Sequence, residues 1–407
     1  EAGQADLFLS AWLGIDEQTK GLRVYRLLDA KIVFHRDLPV PGETIRYDIG
    51  IDRFIRQGDT WLFFFRFDGY IGNDPFITMY DGCAGFFSEE QLAGGRGIVA
   101  EPPGPAPARR TLADGRPTAP FEPLVAMRKE SYSDAQLARL REGDAAGCFG
   151  PLFEGVTLPT ALRLPAGRMQ LVDRILEIDP QGGRYGLGTV FGEADVAPDD
   201  WYLTCHFSDD PVMPGTLMYE CCLHTLRVLL LRMGWISPDD PADVHYAPVE
   251  GIASRLRCRG QVLPSTKKVH YRVDLKEIGY DPEPYVLADA SMYADGRHVV
   301  EMESMSVRLR GVDAVRIAEA WRNAAGRPST RGPGGPSLRV KEVYSREQIL
   351  AYAVGNPSEG FGEKYRPFDA ERRLARLPGP PYLFVDRVTS VEPEPWVLKP
   401  GGWVECE

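Results

Sequence analysis

The residues whose types and spacing fit chemistry lie in one stretch, Trp201-Tyr-Leu-Thr-Cys-His-Phe-Ser-Asp-Asp-Pro-Val-Met-Pro-Gly-Thr-Leu-Met-Tyr-Glu220. His206 ends a strand-like segment and carries an imidazole that titrates near neutral pH, as a general base must. Pro211 and Pro214 pin the loop that comes next, and Pro-Gly opens an apolar run that reads as a helix. Gly215 lets a substrate carbonyl approach the backbone closely. Its N–H, at a helix N-terminus, faces any oxyanion that develops there. Val212, Met213 and Pro214 lead up to it and are candidates for substrate binding. Glu220 falls in the first turns of the same helix, where an apolar setting would raise its pKa and keep it a proton donor. Each of these residues also has a plainer explanation. A lone histidine beside a proline loop is usually a structural hydrogen-bonder, a glutamate near a helix start a dipole partner, and Asp209 and Asp210 turn formers.

These residues must be positioned by the elements around them. The apolar run from Leu217 to Trp235 is hydrophobic nearly all round, which predicts a buried helix. Glu220, His224, Arg227 and Arg232 interrupt it, so it does not read as a membrane span. Two strand-like segments precede it and several come after it, with Ala294-Asp-Gly-Arg as a hairpin turn. An antiparallel sheet wrapped on one buried helix is an α+β arrangement.

Two Pro/Gly-rich stretches, about 97–120 and 323–337, read as linkers. The same sequence pattern begins after each. Glu130-Ser-Tyr-Ser-Asp-Ala-Gln-Leu matches Glu342-Val-Tyr-Ser-Arg-Glu-Gln-Ile, with Ser133 and Ser345 as helix N-caps and Gln136 and Gln348 in capping-box position. Leu162-Arg-Leu-Pro matches Ala375-Arg-Leu-Pro, and Leu171-Val-Asp-Arg matches Phe384-Val-Asp-Arg. A repeat of about 210 residues is too long for a solenoid and points to tandem domains. A fainter repeat relates the segment after Val24 to the one after Val244. Each has a proline turn (Pro41, Pro264), and each is preceded by an apolar helix ending near a glycine (Gly14, Gly234). The expected layout is the C-terminal part of one unit in 1–95, a linker in 96–121, a complete unit in 122–312, a helix end and linker in 313–340, and the N-terminal part of another unit in 341–407. Both ends read as cut from a longer chain.

The net charge of −11 offers no strong basic field for nucleic acid or an anionic membrane. Seven irregularly spaced cysteines without a CxxC argue against a disulfide framework or a metal site, and for a reducing, cytoplasmic setting.

The 201–220 stretch resembles the active-site signature of FabA-type 3-hydroxyacyl-carrier-protein dehydratases. It matches at Cys205, His206, Phe207, Asp210 to Gly215 and Glu220, within a resemblance running from about Arg168 to Leu309. Arg168-Met-Gln-Leu-Val-Asp-Arg is similar to the family's opening strand. The wider chain resembles the tandem dehydratase region of the third subunit of polyunsaturated fatty acid synthases. Phe-His-Arg-Asp-Leu-Pro at 34–39, Gln-Gly-Asp-Thr at 57–60 and Asp-Gly-Cys-Ala-Gly-Phe-Phe at 81–87 resemble the linked non-catalytic hotdog. Leu-Pro-Gly-Pro-Pro-Tyr at 377–382 resembles the start of the next module.

The resemblance implies a double hotdog fold and dehydration of a 3-hydroxyacyl chain carried on the phosphopantetheine of an acyl carrier protein, with no metal and no dissociable cofactor. His206 would take the α-proton, Gly215 N–H would bind the enolate-like oxygen, and Glu220 would protonate the departing hydroxyl. FabA itself has aspartate where Glu220 stands, which puts trans-2 to cis-3 isomerisation in doubt more than dehydration. The other domains of a megasynthase are implied as partners, and hotdog pairing within the chain or in a homodimer. In the family's paired hotdogs the histidine and acid of one site come from opposite halves. Aligning Gly14 with Gly234 puts the first unit's counterpart of Glu220 just before Glu1. Whether His206 and Glu220 share one site is therefore open, as are a non-catalytic scaffold that binds carrier protein and a hotdog thioesterase. Arg255, Arg257 and Arg259 alternate on a strand-like segment. They form either a solvated face or a dock for an acidic carrier protein. His35, His224, His245, His270 and His298 are assigned no role.

Overall fold

The computed structural model describes residues 4–99, 124–236, 244–323, 343–370, 374–396 and 398–407. Most of both Pro/Gly-rich stretches lies outside these residues. From the N-terminal side, α1 (Ala5–Trp12) and α2 (Ile15–Thr19) lead into β1 (Val24–Phe34), β2 (Ile45–Gln57), β3 (Thr60–Ile71), β4 (Asp74–Phe87) and α3 (Glu89–Ala93). The middle of the chain begins with β5 (Glu130–Tyr132), α4 (Asp134–Glu142), α5 (Ala145–Phe149), β6 (Arg174–Asp179) and β7 (Thr189–Asp195). Next come α6 (Trp201–Cys205), α7 (Gly215–Arg232) and β8 (His245–Ala247). It closes with β9 (Ala253–Cys258), β10 (Lys268–Gly279), β11 (Tyr285–Ala294), β12 (Arg297–Arg310) and α8 (Ala314–Asn323). The last part holds α9 (Arg346–Val354), α10 (Pro357–Phe361), β13 (Val388–Glu392) and β14 (Trp403–Cys406).

The strands join in one 14-stranded sheet, in the order β13-β14-β2-β3-β4-β1-β9-β12-β11-β10-β7-β6-β5, with β8 beside β12. The order mirrors itself about the antiparallel pair β1·β9, where Ala30 faces Leu256. On one side lie β4, β3, β2, β14 and β13. On the other lie β12, β11, β10, β7 and β6. The mirror explains the sequence repeat, because β13 and β14 hold the places of β6 and β7. The sheet carries two cores. One surrounds α7 and is built from residues 125–317, with Tyr382 added from the last part of the chain. The other surrounds α1 and joins residues 5–86 to 349–406, so the first and last parts of the chain together make one hotdog body.

Local signals explain the elements. β11 alternates half-buried and buried residues along its whole length, the period-2 pattern of a strand with one face on a core. Asp295 and Gly296 both take positive φ in the hairpin that links it to β12, as a two-residue primed turn requires. The Ser133 and Ser345 backbone N–H groups donate to Gln136 and Gln348 at 3.0 and 3.1 Å, starting α4 and α9 as the capping boxes predict. Gly14 and Gly234 both sit at positive φ (90° and 102°) just past α1 and α7, which is why both helices end at glycine.

Two expectations are corrected. The segment before His206 is the short helix α6, not a strand. The carbonyl of Asp200 accepts from Leu203 N–H at 2.8 Å and closes the first turn. Trp201 then anchors the turn through its indole N–H to Arg168 O at 2.7 Å. The 168–174 segment does not open with a strand either. Gly167, at φ 62°, starts a tight turn over Gly167–Met169, and the strand begins at Arg174.

Candidate active site

His206 caps α6, and the loop from 206 to 212 closes on itself. Phe207 N–H donates to Asp210 O at 2.9 Å, Asp210 N–H to Phe207 O at 3.2 Å, and Val212 N–H to His206 O at 2.8 Å. The imidazole Nδ1 lies 2.7 Å from Val212 O. A carbonyl can only accept, so Nδ1 carries the hydrogen and the ring's basic lone pair is on Nε2. The ring stacks on Phe207, with centroids 3.9 Å apart, and meets the edge of Tyr382 at 5.8 Å.

This loop is a seam element. Phe207 and Val212 belong to the core around α1, whereas Cys205 and Met213 belong to the core around α7. Beyond Pro214, Gly215 is the first residue of the 18-residue α7 and brings its N–H and the positive helix end to the site. A Cβ at Gly215 would lie 3.2 Å from Cys258 Sγ and 3.7 Å from Leu27. Glycine thus keeps the backbone open at a crowded point.

His206, Val212, Met213, Pro214, Gly215 and Thr216 line one side of a cavity of roughly 1010 Å³ including its mouth. The opposite wall comes from the other body: Gln4, Asp6 and Leu7 from the α1 side, Tyr25, Arg26 and Leu27 from β1, and Phe65, Phe67, Ile77 and Met79 deeper in its sheet. Asp6 is buried and accepts from Tyr25 O–H at 2.9 Å. The structure therefore brings His206 together with Val212, Met213, Pro214 and Gly215 on one cavity.

Glu220 does not line that cavity. It is largely buried on α7, and burial pushes its carboxyl above the usual range, an effect Arg227 opposes. Arg227 is itself held by Arg163 O at 2.9 Å and lies over the Tyr246 ring. The raised pKa agrees with the proton-donor state expected of Glu220. Thr216, one turn before it on α7, does line the cavity.

Sequence reasoning missed the partners of the His206 loop across the seam. Arg26 clasps Asp210 with both η-nitrogens, one of them at 2.9 Å. Arg376 Nε lies 2.9 Å from Asp209. The two aspartates are ion-paired and not merely turn formers. Tyr382, from the Leu-Pro-Gly-Pro-Pro-Tyr stretch, packs in the core around α7, with its hydroxyl 3.2 Å from Thr216 Oγ1. That stretch was the one signal in the sequence. Its family likeness marked it as structural, and only the fold brings it to His206.

Arg255, Arg257 and Arg259 do share one face of the β9 segment. They meet Glu303 at 3.7 Å, Glu301 at 3.0 Å and Asp29 at 2.7 Å. The cysteines are all free and buried. Among the described residues no group of His, Cys, Asp and Glu could hold a metal ion, and no helix is long and apolar enough to cross a membrane.

A mirrored antiparallel sheet with one buried helix in each half defines a double hotdog, and residues 164–303 match the model of the FabA-like domain. Over 377 residues, 90% of its length, the chain is 37% identical to the C component of the polyunsaturated fatty acid synthase of a Thraustochytrium species, and it spans 25% of that relative. Among solved structures it is similar to a protein assigned as an oleoyl thioesterase from Lactobacillus plantarum (10% identity, 76% of this chain and 85% of that one, TM-score 0.37). It is also similar to an inactive mutant of the CurJ dehydratase (11% identity, 69% and 74%, TM-score 0.33).

Proposed function

We propose that this chain is a hydro-lyase module that converts a 3-hydroxyacyl thioester, carried on the phosphopantetheine of an acyl carrier protein, to the 2-enoyl thioester within a fatty acid or polyketide-like synthase. The observation that carries the reading is the His206–Val212 hydrogen bond. It fixes the tautomer that leaves the basic lone pair on Nε2, on the same apolar cavity as the Gly215 N–H.

In this reading His206 Nε2 takes the proton α to the thioester carbonyl. The charge moves onto the carbonyl oxygen, where the Gly215 N–H and the α7 terminus stabilise it. The C3–O bond then breaks, and a neutral carboxylic acid gives its proton to the departing hydroxyl, which leaves as water. The reaction needs no oxidant, metal or dissociable cofactor. The acid for His206 comes from the opposite body, on the α1 side, where Asp6 is the described carboxylate. By the alignment of Gly14 with Gly234, Asp6 falls opposite Leu226 and is not the counterpart of Glu220, which serves the pseudo-symmetric position. Apolar walls from Leu27 to Met79 suit a hydrocarbon chain. Other synthase domains are the expected partners, and the cytoplasm the expected setting for seven free thiols.

The test is mass spectrometry of a 3-hydroxyacyl carrier protein incubated with the protein extended to whole repeats. Loss of one water, abolished by His206→Ala, is the expected result. Release of free acid would replace this reading with a thioesterase. Unchanged substrate on a folded, carrier-binding protein would leave a scaffold. A cis-3 product would add isomerisation.

A further inference from the structure

We infer that Arg26 and Arg376 are positioning residues for His206, a latch through which the opposite body sets the geometry of the base. The inference rests on the proposed role of His206. Both arginines come from the body around α1, one from each end of the chain, and they grip consecutive residues of the same loop. Arg26 and Asp210 form a two-pronged pair with both side chains only 11% exposed. The Arg26 Nε also donates to Gln261 Oε1 at 2.7 Å, so the guanidinium is held in plane from a second direction. Arg376, itself buried, donates through Nη1 to Gly355 O at 2.7 Å and forms an ion pair with Asp209, Nε to carboxylate 2.9 Å, without hydrogen-bond geometry. Between them Ser208 Oγ donates to Ala353 O at 3.2 Å. Ser208, Asp209 and Asp210 are thus each tied to the other body.

The path to the imidazole is short. Asp210 exchanges backbone hydrogen bonds with Phe207, and Pro211 links it rigidly to Val212, whose carbonyl accepts from His206 Nδ1. A shift of Asp210 therefore moves the carbonyl that fixes both the tautomer and the aim of the ring. Bidentate arginine–carboxylate geometry suits such a device because it defines orientation as well as distance. Reacting groups tolerate little misplacement, and about 1 Å can cost 100-fold in rate.

The test uses the full chain and two independent readouts. Amide hydrogen exchange reports the Phe207, Asp210 and Val212 N–H groups directly, and kcat and KM report the chemistry. Arg26→Met is compared with Asp37→Asn, which removes a seam contact to His245 and Arg310 that is not on the cavity. Arg26→Met is expected to raise exchange of the three amides at least 10-fold and lower kcat roughly 10- to 100-fold, with KM within twofold. Asp37→Asn is expected to change neither. Arg376→Met should act in the same direction but more weakly, because Asp209 is 35% exposed.

Arg26→Met/Asp210→Asn separates positioning from the burial of an unpaired charge. It should recover thermal stability without recovering kcat or protection. If Arg26→Met alone does not fold, this double variant and Arg376→Met carry the test. Wild-type kcat in the double variant, or unchanged loop exchange in folded Arg26→Met, would overturn the latch. Absence of dehydration by the wild-type protein would instead overturn the role of His206, and the exchange measurement would still decide whether the latch exists.

Discussion

Tyr365 lies 2.9 Å from the backbone carbonyl of Ala11, a residue 354 positions away, and 2.8 Å from Asp16. This contact joins the last part of the chain to the first inside one core. Phe8 and Phe361 continue the junction, with ring centroids 4.9 Å apart. The helix that faces the His206 cavity therefore rests on side chains from α10 and the turn after it. The geometry of the site depends on both ends of the chain.

One hydroxyl hydrogen cannot serve both Ala11 O and Asp16, and burial pushes the Asp16 carboxyl up to about 6 despite the hydrogen bond from Tyr365 and the charge of Arg376. A carboxyl with a raised native pKa binds more protons folded than unfolded between about pH 4 and 6. Its contribution is fully present below the unfolded pKa and is lost as pH rises through the native value. Asp16→Asn should remove that slope. Chemical denaturation from pH 4 to 8 should show the variant gaining on the wild type by up to about 3 kcal/mol as pH rises. A difference that stays flat with pH would show Asp16 to be ionised in the native core.

His206→Ala should lower dehydration by roughly 100-fold or more, the usual weight of a general base. Glu220→Gln should leave the His206 site within a few fold, because Glu220 stands outside its cavity. Asp6→Asn tests the α1 wall of the same cavity and should cost more than Glu220→Gln. Initial rates on a carrier-bound 3-hydroxyacyl chain give the ranking, and a Glu220→Gln loss equal to that of His206→Ala would return Glu220 to this site.

The period-2 strands, the two buried helices and the capping boxes were legible because they rest on local spacing. So was the His206 loop, whose prolines and glycine mark it without any partner. The pairing of the first and last units was not legible. Each half carries an apolar face, and nothing local says which of the other segments will cover it. Whether Glu220 shares a site with His206 was not legible either, because the wall opposite His206 is drawn from α1 and β1 across the seam. Arg26 sits in a strand with no local mark of a partner, and only the fold brings it to Asp210.

Gly215→Ala separates stability from activity. Alanine is the better helix former by up to about 1 kcal/mol in a helix interior, less in the first turn. The added methyl would meet Cys258 Sγ at 3.2 Å and stand where the thioester must approach. The melting temperature is expected to hold or rise slightly, while kcat/KM falls roughly 10-fold or more through misplacement of the carbonyl. Unchanged kcat/KM would move the oxyanion site away from this N–H.

The three arginines of the β9 segment bear on the carrier protein. Each already meets a carboxylate on a neighbouring strand, so the face presents paired charge and not an open cationic patch. Partly exposed pairs of this kind contribute little on their own, and a rim charge acts mainly on association rate and salt dependence. Replacing Arg255, Arg257 and Arg259 together by alanine should therefore change kcat/KM on a carrier-bound substrate by less than about threefold. A free pantetheine thioester should respond in the same way. A larger drop that is confined to the carrier-bound substrate and vanishes in high salt would assign docking to this face, since only a protein partner large enough to reach the sheet surface would sense the missing charges.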